Sequence, residues 1–158
     1  MTIRSREHSV IDMKNVMFAQ KEHIPLIAEL EKKTFVHPWS ESSLNMFFES
    51  ESALYAICLE DGELASYCTM LLVLDEVQII NVATAEKYKR QGYAEEVINL
   101  MLEEAKRRDF GSISLEVRES NAPAIALYEK FGFFVAGKRK DFYTDPRENA
   151  LVMIKNLD

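Results

Sequence analysis

Cysteine is scarce in this chain of 158 residues, which has only Cys58 and Cys68. Two cysteines do not make a disulfide framework, and no C-x-x-C spacing typical of a metal site occurs. Both lie in apolar, strand-like runs, so we predict buried free thiols. The histidines, His8, His23 and His37, also lack metal-site spacing. We expect them to be solvated or to cap helices, and we expect no bound metal.

Long apolar runs and an excess of basic residues are also missing. No run approaches the ~20 residues of a membrane span. The N-terminus is polar and charged through Lys14, unlike a secretory signal, so we expect a cytoplasmic protein with no membrane partner. Lys and Arg number 19 against 26 Asp and Glu, a net charge of −7. This argues against broad nucleic-acid binding, which needs a basic face. The acidity serves either solubility or the attraction of a cationic substrate.

The composition that is present suits a folded protein, with 47% hydrophobic and 28% charged residues. The length suits one domain with a substantial core. Residues 1–12 have mixed charge and little pattern, so we predict a loose N-terminal extension followed by a single domain over residues 13–158.

Hydrophobic periodicity and turn residues predict an α/β fold with a mainly antiparallel sheet of about seven strands and about four helices. Asp61-Gly62 is a strong hairpin signal. The order of elements excludes a doubly wound dinucleotide fold. The predicted strands are residues 14–19, 52–59, 64–74, 77–84, 112–117, 133–138 and 149–154. The predicted helices are residues 22–35, one capped by Ser40, one from about Gly92 to Gly111, and one capped by Ser120 or Asn121 that ends near Gly132.

The strand over residues 77–84 changes phase along its length. Val77 and Ile79 alternate in one register, and Ile80 and Val82 alternate in the other. A β-bulge would produce this slip, and so would a strand buried on both faces.

A cationic loop with Lys87, Lys89 and Arg90 follows that strand, and Gly92 then opens a strongly amphipathic helix. Free backbone N–H groups and the dipole at a helix start favour an anion there. The loop is neither a Walker loop nor G-x-G-x-x-G. A lysine-rich surface turn with one glycine at the helix start is the alternative interpretation.

Four stretches of the sequence resemble known N-acetyltransferases. The loop Lys89-Arg90-Gln91-Gly92-Tyr93-Ala94 resembles the Gln/Arg-x-x-Gly-x-Gly/Ala signature of the GNAT superfamily of N-acetyltransferases, with Lys89 departing from the usual first residue. Leu115-Glu116-Val117-Arg118-Glu119-Ser120-Asn121, with Ala126-Leu127-Tyr128-Glu129-Lys130-Phe131-Gly132-Phe133, resembles the RimI-type ribosomal-protein-alanine N-acetyltransferases. Phe35-x-x-Pro38-Trp39-Ser40 also fits that group. The resemblance covers roughly residues 14–155.

The resemblance implies a GNAT-like fold and a cytoplasmic, monomeric enzyme. This enzyme would transfer the acetyl group of acetyl-CoA to the N-terminal alanine of a ribosomal protein. The resemblance implies that the loop over residues 89–94 binds the pyrophosphate of the cofactor and that the strand before it contacts the pantetheine arm. The residues that it assigns to cofactor binding are Val82, Ala83, Thr84, Arg90, Gln91, Gly92, Tyr93, Ala94, Glu95 and Asn121.

The reaction is aminolysis of a thioester, which needs a base for the attacking ammonium and an acid for the leaving thiolate. The resemblance assigns these roles to Glu116 and Tyr128. Without it, Glu116 would be a surface acid at a strand end and Tyr128 a packing aromatic. Asn121 would be an ordinary N-cap. Trp39 and Tyr143 are assigned to the acceptor site; Trp39 would otherwise be a packing residue and Tyr143 an exposed loop aromatic.

The possible acceptor amines differ in their basicity. A protein α-amino group has a pKa near ~7.8 and lysine near ~10.4, a difference of ~3.5 kcal/mol in deprotonation cost. A single glutamate with no obvious second base therefore suits an α-amine. Another protein N-terminus, a lysine side chain or a small amine stays open as an acceptor. A non-catalytic acyl-CoA-binding module is a third hypothesis, against which the presence of both Glu116 and Tyr128 speaks.

Overall fold

The computed structural model describes residues 14–158, so the predicted extension over residues 1–12 and the role of His8 lie outside the described residues. The strands are β1 Asn15–Phe18, β2 Ala53–Glu60, β3 Glu63–Val73, β4 Glu76–Thr84, β5 Ser112–Arg118, β6 Phe134–Tyr143 and β7 Glu148–Asn156. The helices are α1 Ile24–Thr34, α2 Glu41–Glu49, α3 Tyr93–Arg107 and α4 Ala122–Lys130, with short 3-10 turns at Lys21–His23 and Glu86–Tyr88.

The seven strands form one sheet in the order β1-β2-β3-β4-β5-β7-β6. Strands β4 and β5 run parallel, whereas β1 with β2, β5 with β7 and β6 with β7 are antiparallel. The prediction of an α/β fold with a mainly antiparallel sheet is therefore confirmed.

The chain divides into two compact units. Among the described residues, the first unit comprises residues 14–69 and 81–101, and the second comprises residues 70–80 and 102–158. The single domain expected over residues 13–158 stays a prediction.

In the first unit, local signals in the sequence fix most element boundaries. Asp61 and Gly62 have φ values of 52° and 81°, the positive pair that a tight hairpin between β2 and β3 requires. The hydroxyl of Ser40 accepts the N–H of Ser43 at 3.1 Å and caps α2 as predicted. His23 is a capping residue, because its Nδ1 accepts the N–H of Gln20 at 2.8 Å.

The interior of the first unit contains the apolar stripe of α1 and the centres of β2 and β3. Cys58 and Cys68 are buried free thiols, as predicted, and burial raises the pKa of Cys58 to about 11. Strand β4 contributes residues to both units, and its buried residues are Val77, Ile79 and Ala83, with half-buried residues between them. The buried residues of β4 therefore all follow one alternation, and the half-buried residues between them show that the other face is partly covered. This fits a strand covered on both faces.

In the second unit, β5 alternates strictly. Ile113, Leu115 and Val117 are buried, and the residues between them are half-buried. Glu116 and Arg118 therefore lie on the face of the strand opposite the buried trio. After β5, the side chain of Asn121 accepts the N–H of Ala124 at 3.2 Å, so Asn121 is the cap of α4.

Two predicted boundaries are wrong. Helix α3 ends at Arg107 because Asp109, not Gly111, takes the left-handed conformation with φ 65°. The N–H of Phe110 donates to the carbonyl of Ala105 at 3.1 Å, which closes this end. Strand β6 continues to Tyr143, which was expected in a loop. It was missed because the end strand of the sheet is exposed along nearly its whole length and so has no burial pattern.

Candidate active site

The loop that follows β4 belongs to the first unit and has an unusual backbone. Arg90 and Gly92 have φ values of 62° and 87°, and α3 begins at the next residue, Tyr93. A Cβ atom added to Gly92 would lie 3.1 Å from Nζ of Lys14. The left-handed backbone and this close approach both explain why glycine stands at the start of the helix.

Tyr93 anchors the loop to the interior. Its ring is buried, its hydroxyl donates to Oε1 of Glu60 at 2.7 Å, and its carbonyl accepts the hydroxyl of Ser66 at 2.8 Å. Burial, followed by the hydrogen bond to Glu60, raises the pKa of Tyr93 to about 12. The side chain of Tyr93 is thus a packing element, and only its backbone can serve the predicted cradle.

The cations of the loop are not equally available. Nζ of Lys87 lies 2.7 Å from Glu63, and Nζ of Lys89 lies 3.2 Å from Glu86. Arg90 is exposed and forms no ion pair within residues 14–158. Lys14, which the sequence did not single out, donates to the carbonyl of Gln91 at 2.7 Å and lies over the ring of Tyr93. The loop therefore presents the guanidinium of Arg90 beside the start of α3, where the helix dipole and the backbone N–H groups favour an anion.

The other predicted cofactor residues flank this loop. Ala83 is buried, while Val82, Thr84, Ala94 and Glu95 are half-buried. The carbonyl of Ala65 accepts the N–H of Ala85 at 2.8 Å, which fixes the chain as it leaves β4.

A buried carboxylate in the first unit holds the predicted acceptor residue Trp39. Oε1 of Glu31 accepts the backbone N–H of Trp39 at 2.9 Å. Oε2 accepts Nδ2 of Asn81 at 2.8 Å and the hydroxyl of Tyr67. The ring of Trp39 is half-buried, with its centroid 5.1 Å from that of Phe47. The ring contact with Phe47 makes packing an observed role of Trp39, while its role at the acceptor site stays a prediction.

In the second unit, the candidate base Glu116 has partners on both oxygens. Nε of Arg139 lies 2.6 Å from Oε2, and Nε2 of Gln78 donates to Oε1 at 3.1 Å. The side chain of Glu116 is 17% exposed, whereas that of Arg139 is 59% exposed. A carboxylate has about four lone-pair sites, so Glu116 can still accept from an amine or a water.

The candidate acid Tyr128 lies on α4, also in the second unit. It is 8% exposed, and its ring meets the ring of Phe133 edge-on at 5.8 Å. Packing is thus an observed role of the ring, while the action of its hydroxyl stays a prediction. Asn121 uses its carbonyl oxygen to cap α4, which leaves its amide N–H groups for the predicted cofactor contact.

Tyr143 lies at the end of β6, where Arg118 organises the turn into β7. The guanidinium carbon of Arg118 is 4.5 Å from the ring centroid of Tyr143. The same side chain donates to the carbonyls of Thr144 and Pro146, each at 2.9 Å. Burial, followed by the charge of Glu116, raises the pKa of Tyr143.

Sequence reasoning missed Glu31, Asn81, Gln78, Arg118 and Arg139 as partners of the site residues. A signal existed for Glu31, because it falls in the apolar stripe of α1, where an acid is unexpected. No comparable signal marks the others, since they lie on half-buried or exposed faces. Within residues 14–158, no group of three or more His, Cys, Asp or Glu could hold a metal ion. None of the helices described here is long and apolar enough to cross a membrane.

Comparisons with known proteins find consistent matches. The family model described as "Acetyltransferase (GNAT) family" matches residues 24–133. A relative from Bacillus subtilis (strain 168), named putative [ribosomal protein bS18]-alanine N-acetyltransferase, is 40% identical over 84% of this chain and 88% of its own. A relative from Escherichia coli (strain K12), named [ribosomal protein bS18]-alanine N-acetyltransferase, is 33% identical over 89% of this chain and 96% of its own.

A solved structure, that of the ribosomal-protein-S18-alanine N-acetyltransferase from Escherichia coli, is also similar. It superposes with a TM-score of 0.84 at 32% identity, over 92% of this chain and 95% of that one.

Proposed function

The chain belongs to the GNAT family of acetyltransferases, and from this premise we propose that it acetylates the N-terminal alanine of ribosomal protein bS18 with acetyl-CoA. One observation carries the proposal: relatives named for this activity align over 84% and 89% of the chain at 40% and 33% identity. The family match over residues 24–133 includes every predicted site residue except Tyr143.

The residues present fit acetyl-CoA. The backbone at Arg90 and Gly92 opens the start of α3, and the exposed guanidinium of Arg90 adds positive charge there. We assign the pyrophosphate to this loop, with Arg90 through Glu95 around it. We assign the pantetheine arm to the backbone of Val82, Ala83 and Thr84. Acetyl-CoA supplies an activated thioester carbonyl and a thiolate leaving group.

The residues of the second unit supply the proton transfers. Glu116 accepts a proton from the ammonium of the acceptor, directly or through a water, while Arg139 and Gln78 hold its carboxylate in place. The hydroxyl of Tyr128 donates a proton to the departing sulfur. An α-amino group suits this arrangement because its pKa of about 7.8 leaves a sizeable neutral fraction near pH 7.

The test compares acceptors that present different kinds of amine. Purified protein is incubated with acetyl-CoA and with one of three acceptors at a time. The acceptors are a peptide beginning with Ala, an N-blocked form of this peptide that contains one internal Lys, and a polyamine. Thiol release gives the rate, and mass spectrometry locates the acetyl group. We expect release with the first peptide and acetylation of its α-amine. Release with the blocked peptide or the polyamine alone would assign another acceptor, and no release at all would contradict an enzymatic role.

A further inference from the structure

Glu31 is a carboxylate in an unusual place. It lies on α1 with an exposed fraction of 0%, among the apolar residues Ile27, Ala28 and Leu30. Carboxylates are almost never fully buried unless they are paired or hydrogen-bonded, because burial removes their hydration. Such a residue therefore has to be explained by what its two oxygens bind.

Within the described part of the chain, Glu31 has three hydrogen-bond partners, and all of them are donors. Oε1 accepts the backbone N–H of Trp39 at 2.9 Å, and Oε2 accepts Nδ2 of Asn81 at 2.8 Å and the hydroxyl of Tyr67. Burial, followed by the charge of Glu31, raises the pKa of Tyr67, which keeps its hydroxyl a donor. Both oxygens must accept, and glutamine, with one carbonyl and one NH2 group, cannot satisfy all three donors.

The hydrogen bond between Glu31 and Trp39 fixes a loop and not an element of the core. Residues 35–40 join α1 to α2, and Trp39 lies eight residues beyond Glu31. In this loop Val36 is 68% exposed and Trp39 is half-buried. A bond from a buried carboxylate to the loop backbone therefore fixes a segment that presents apolar groups outward.

The hydrogen bond between Glu31 and Asn81 connects α1 to β4. Asn81 directly precedes Val82, the first of the three strand residues that we assign to the pantetheine arm. One carboxylate is thus bonded to both the predicted acceptor loop and the predicted cofactor strand, all within the first unit.

We propose that Glu31 is a positioning residue, whose carboxylate fixes the 35–40 loop, and Trp39 with it, for the acceptor peptide. The nature of the acceptor rests on the proposed function. A role in core stability alone would lower the melting temperature and leave the KM for the peptide unchanged. Positioning predicts a separate loss in peptide recognition.

The variant Glu31→Gln tests this. If the carbonyl of the glutamine accepts from Tyr67 and Asn81, its NH2 group faces the N–H of Trp39, and two donors cannot bond to each other. We expect KM for the Ala-peptide to rise about tenfold, with kcat and KM for acetyl-CoA within about twofold of the parent. Trp39 is the sole tryptophan of the chain, so its fluorescence reports the loop directly. We expect stronger quenching by iodide in the variant.

Tyr55→Phe is the matched control, since it removes another buried hydrogen bond, from Tyr55 Oη to the carbonyl of Leu44 at 2.9 Å. It should lower the melting temperature without changing the peptide KM or the quenching. Equal changes in both variants, or an unchanged peptide KM in Glu31→Gln, would overturn the proposal.

Two further measurements keep the outcome decisive. If the parent protein does not turn over the peptide, the proposed function fails, while unchanged iodide quenching in Glu31→Gln would separately overturn the positioning role. If Glu31→Gln does not fold, amide hydrogen exchange on the parent protein decides. Exchange at Trp39 well slower than at Val36, a residue of the same loop that is 68% exposed, supports the bond, and equal exchange refutes it.

Discussion

Glu31 and Glu116 are both glutamates whose two oxygens accept hydrogen bonds, but their surroundings differ. Glu31 has an exposed fraction of 0% and three donors, all of them uncharged groups. The side chain of Glu116 is 17% exposed and is held by Gln78 and by the exposed guanidinium of Arg139. The first carboxylate is enclosed by fixed groups, whereas the second can be reached by solvent and by an acceptor.

The enclosed carboxylate of Glu31 suits a positioning role, whereas the accessible carboxylate of Glu116 suits proton transfer. The first unit contains Glu31, the loop around Gly92 and the strand residues assigned to the cofactor, so its side chains are suited to binding. The second unit contains Glu116 and Tyr128, so its side chains are suited to moving protons. We therefore expect variants in the first unit to change KM, cofactor affinity or stability, and variants in the second to change kcat.

The largest effect is expected from Glu116→Gln. The amide keeps the size of the side chain but cannot accept a proton, so kcat should fall by about 10²–10⁴-fold. Steady-state kinetics with the Ala-peptide measure this, and calorimetry should find acetyl-CoA binding unchanged.

Glu119→Gln is a matched control for this variant. Glu119 also forms an ion pair at 2.6 Å, with Lys138, and it also lies in the second unit. We expect its kcat to stay within about twofold of the parent, since exposed ion pairs have small effects. A comparable loss in both variants would mean that breaking an ion pair, and not losing a base, slows the reaction.

Tyr128→Phe is expected to have the next largest effect. The ring contact with Phe133 is kept and only the hydroxyl is lost. Thiols have a pKa near ~8.5 and are good leaving groups, so we expect kcat to fall by about 10–100-fold. Single-turnover kinetics with saturating acetyl-CoA measure the step. An unchanged rate would leave Tyr128 with its packing role alone.

Much of this arrangement could be predicted from the sequence because its signals are local. The hairpin at Asp61-Gly62, the caps at Ser40 and Asn121 and the apolar stripe of α3 depend on residues near in sequence. Motif resemblance gave the family and the enzyme class, and the comparisons confirm both.

Most pairings between site residues and their partners could not be predicted, because the two residues meet through long-range contacts. Glu31 and Asn81 are 50 residues apart, and Gln78 and Glu116 are 38 apart. The end of β6 was also missed, since an exposed edge strand has no alternation that a sequence could show. The stop of α3 at Asp109 was missed because glycine is the usual residue for a left-handed cap.

A smaller effect, on stability, distinguishes the two carboxylates directly. Glu31→Gln leaves a buried donor unsatisfied, so its free energy of unfolding should fall by about 1–3 kcal/mol. Glu116→Gln changes a partly exposed group and should stay within about 0.5 kcal/mol of the parent. Urea denaturation of both variants measures the difference. Equal losses would contradict the contrast between an enclosed and an accessible carboxylate.

The smallest effect is expected at the loop itself, from Gly92→Ala. Alanine at φ 87° costs about 1–2 kcal/mol, and its Cβ would lie 3.1 Å from Nζ of Lys14. If the loop shifts to relieve this strain, the Kd for acetyl-CoA should rise about tenfold, which corresponds to ~1.4 kcal/mol, with kcat at saturation little changed. Gly111→Ala is the control, since within residues 14–158 no atom beyond its chain neighbours lies within 4 Å of its added Cβ. Calorimetric titration of both variants decides, because a fall in kcat with unchanged cofactor affinity in Gly92→Ala would break the assignment of binding to the first unit.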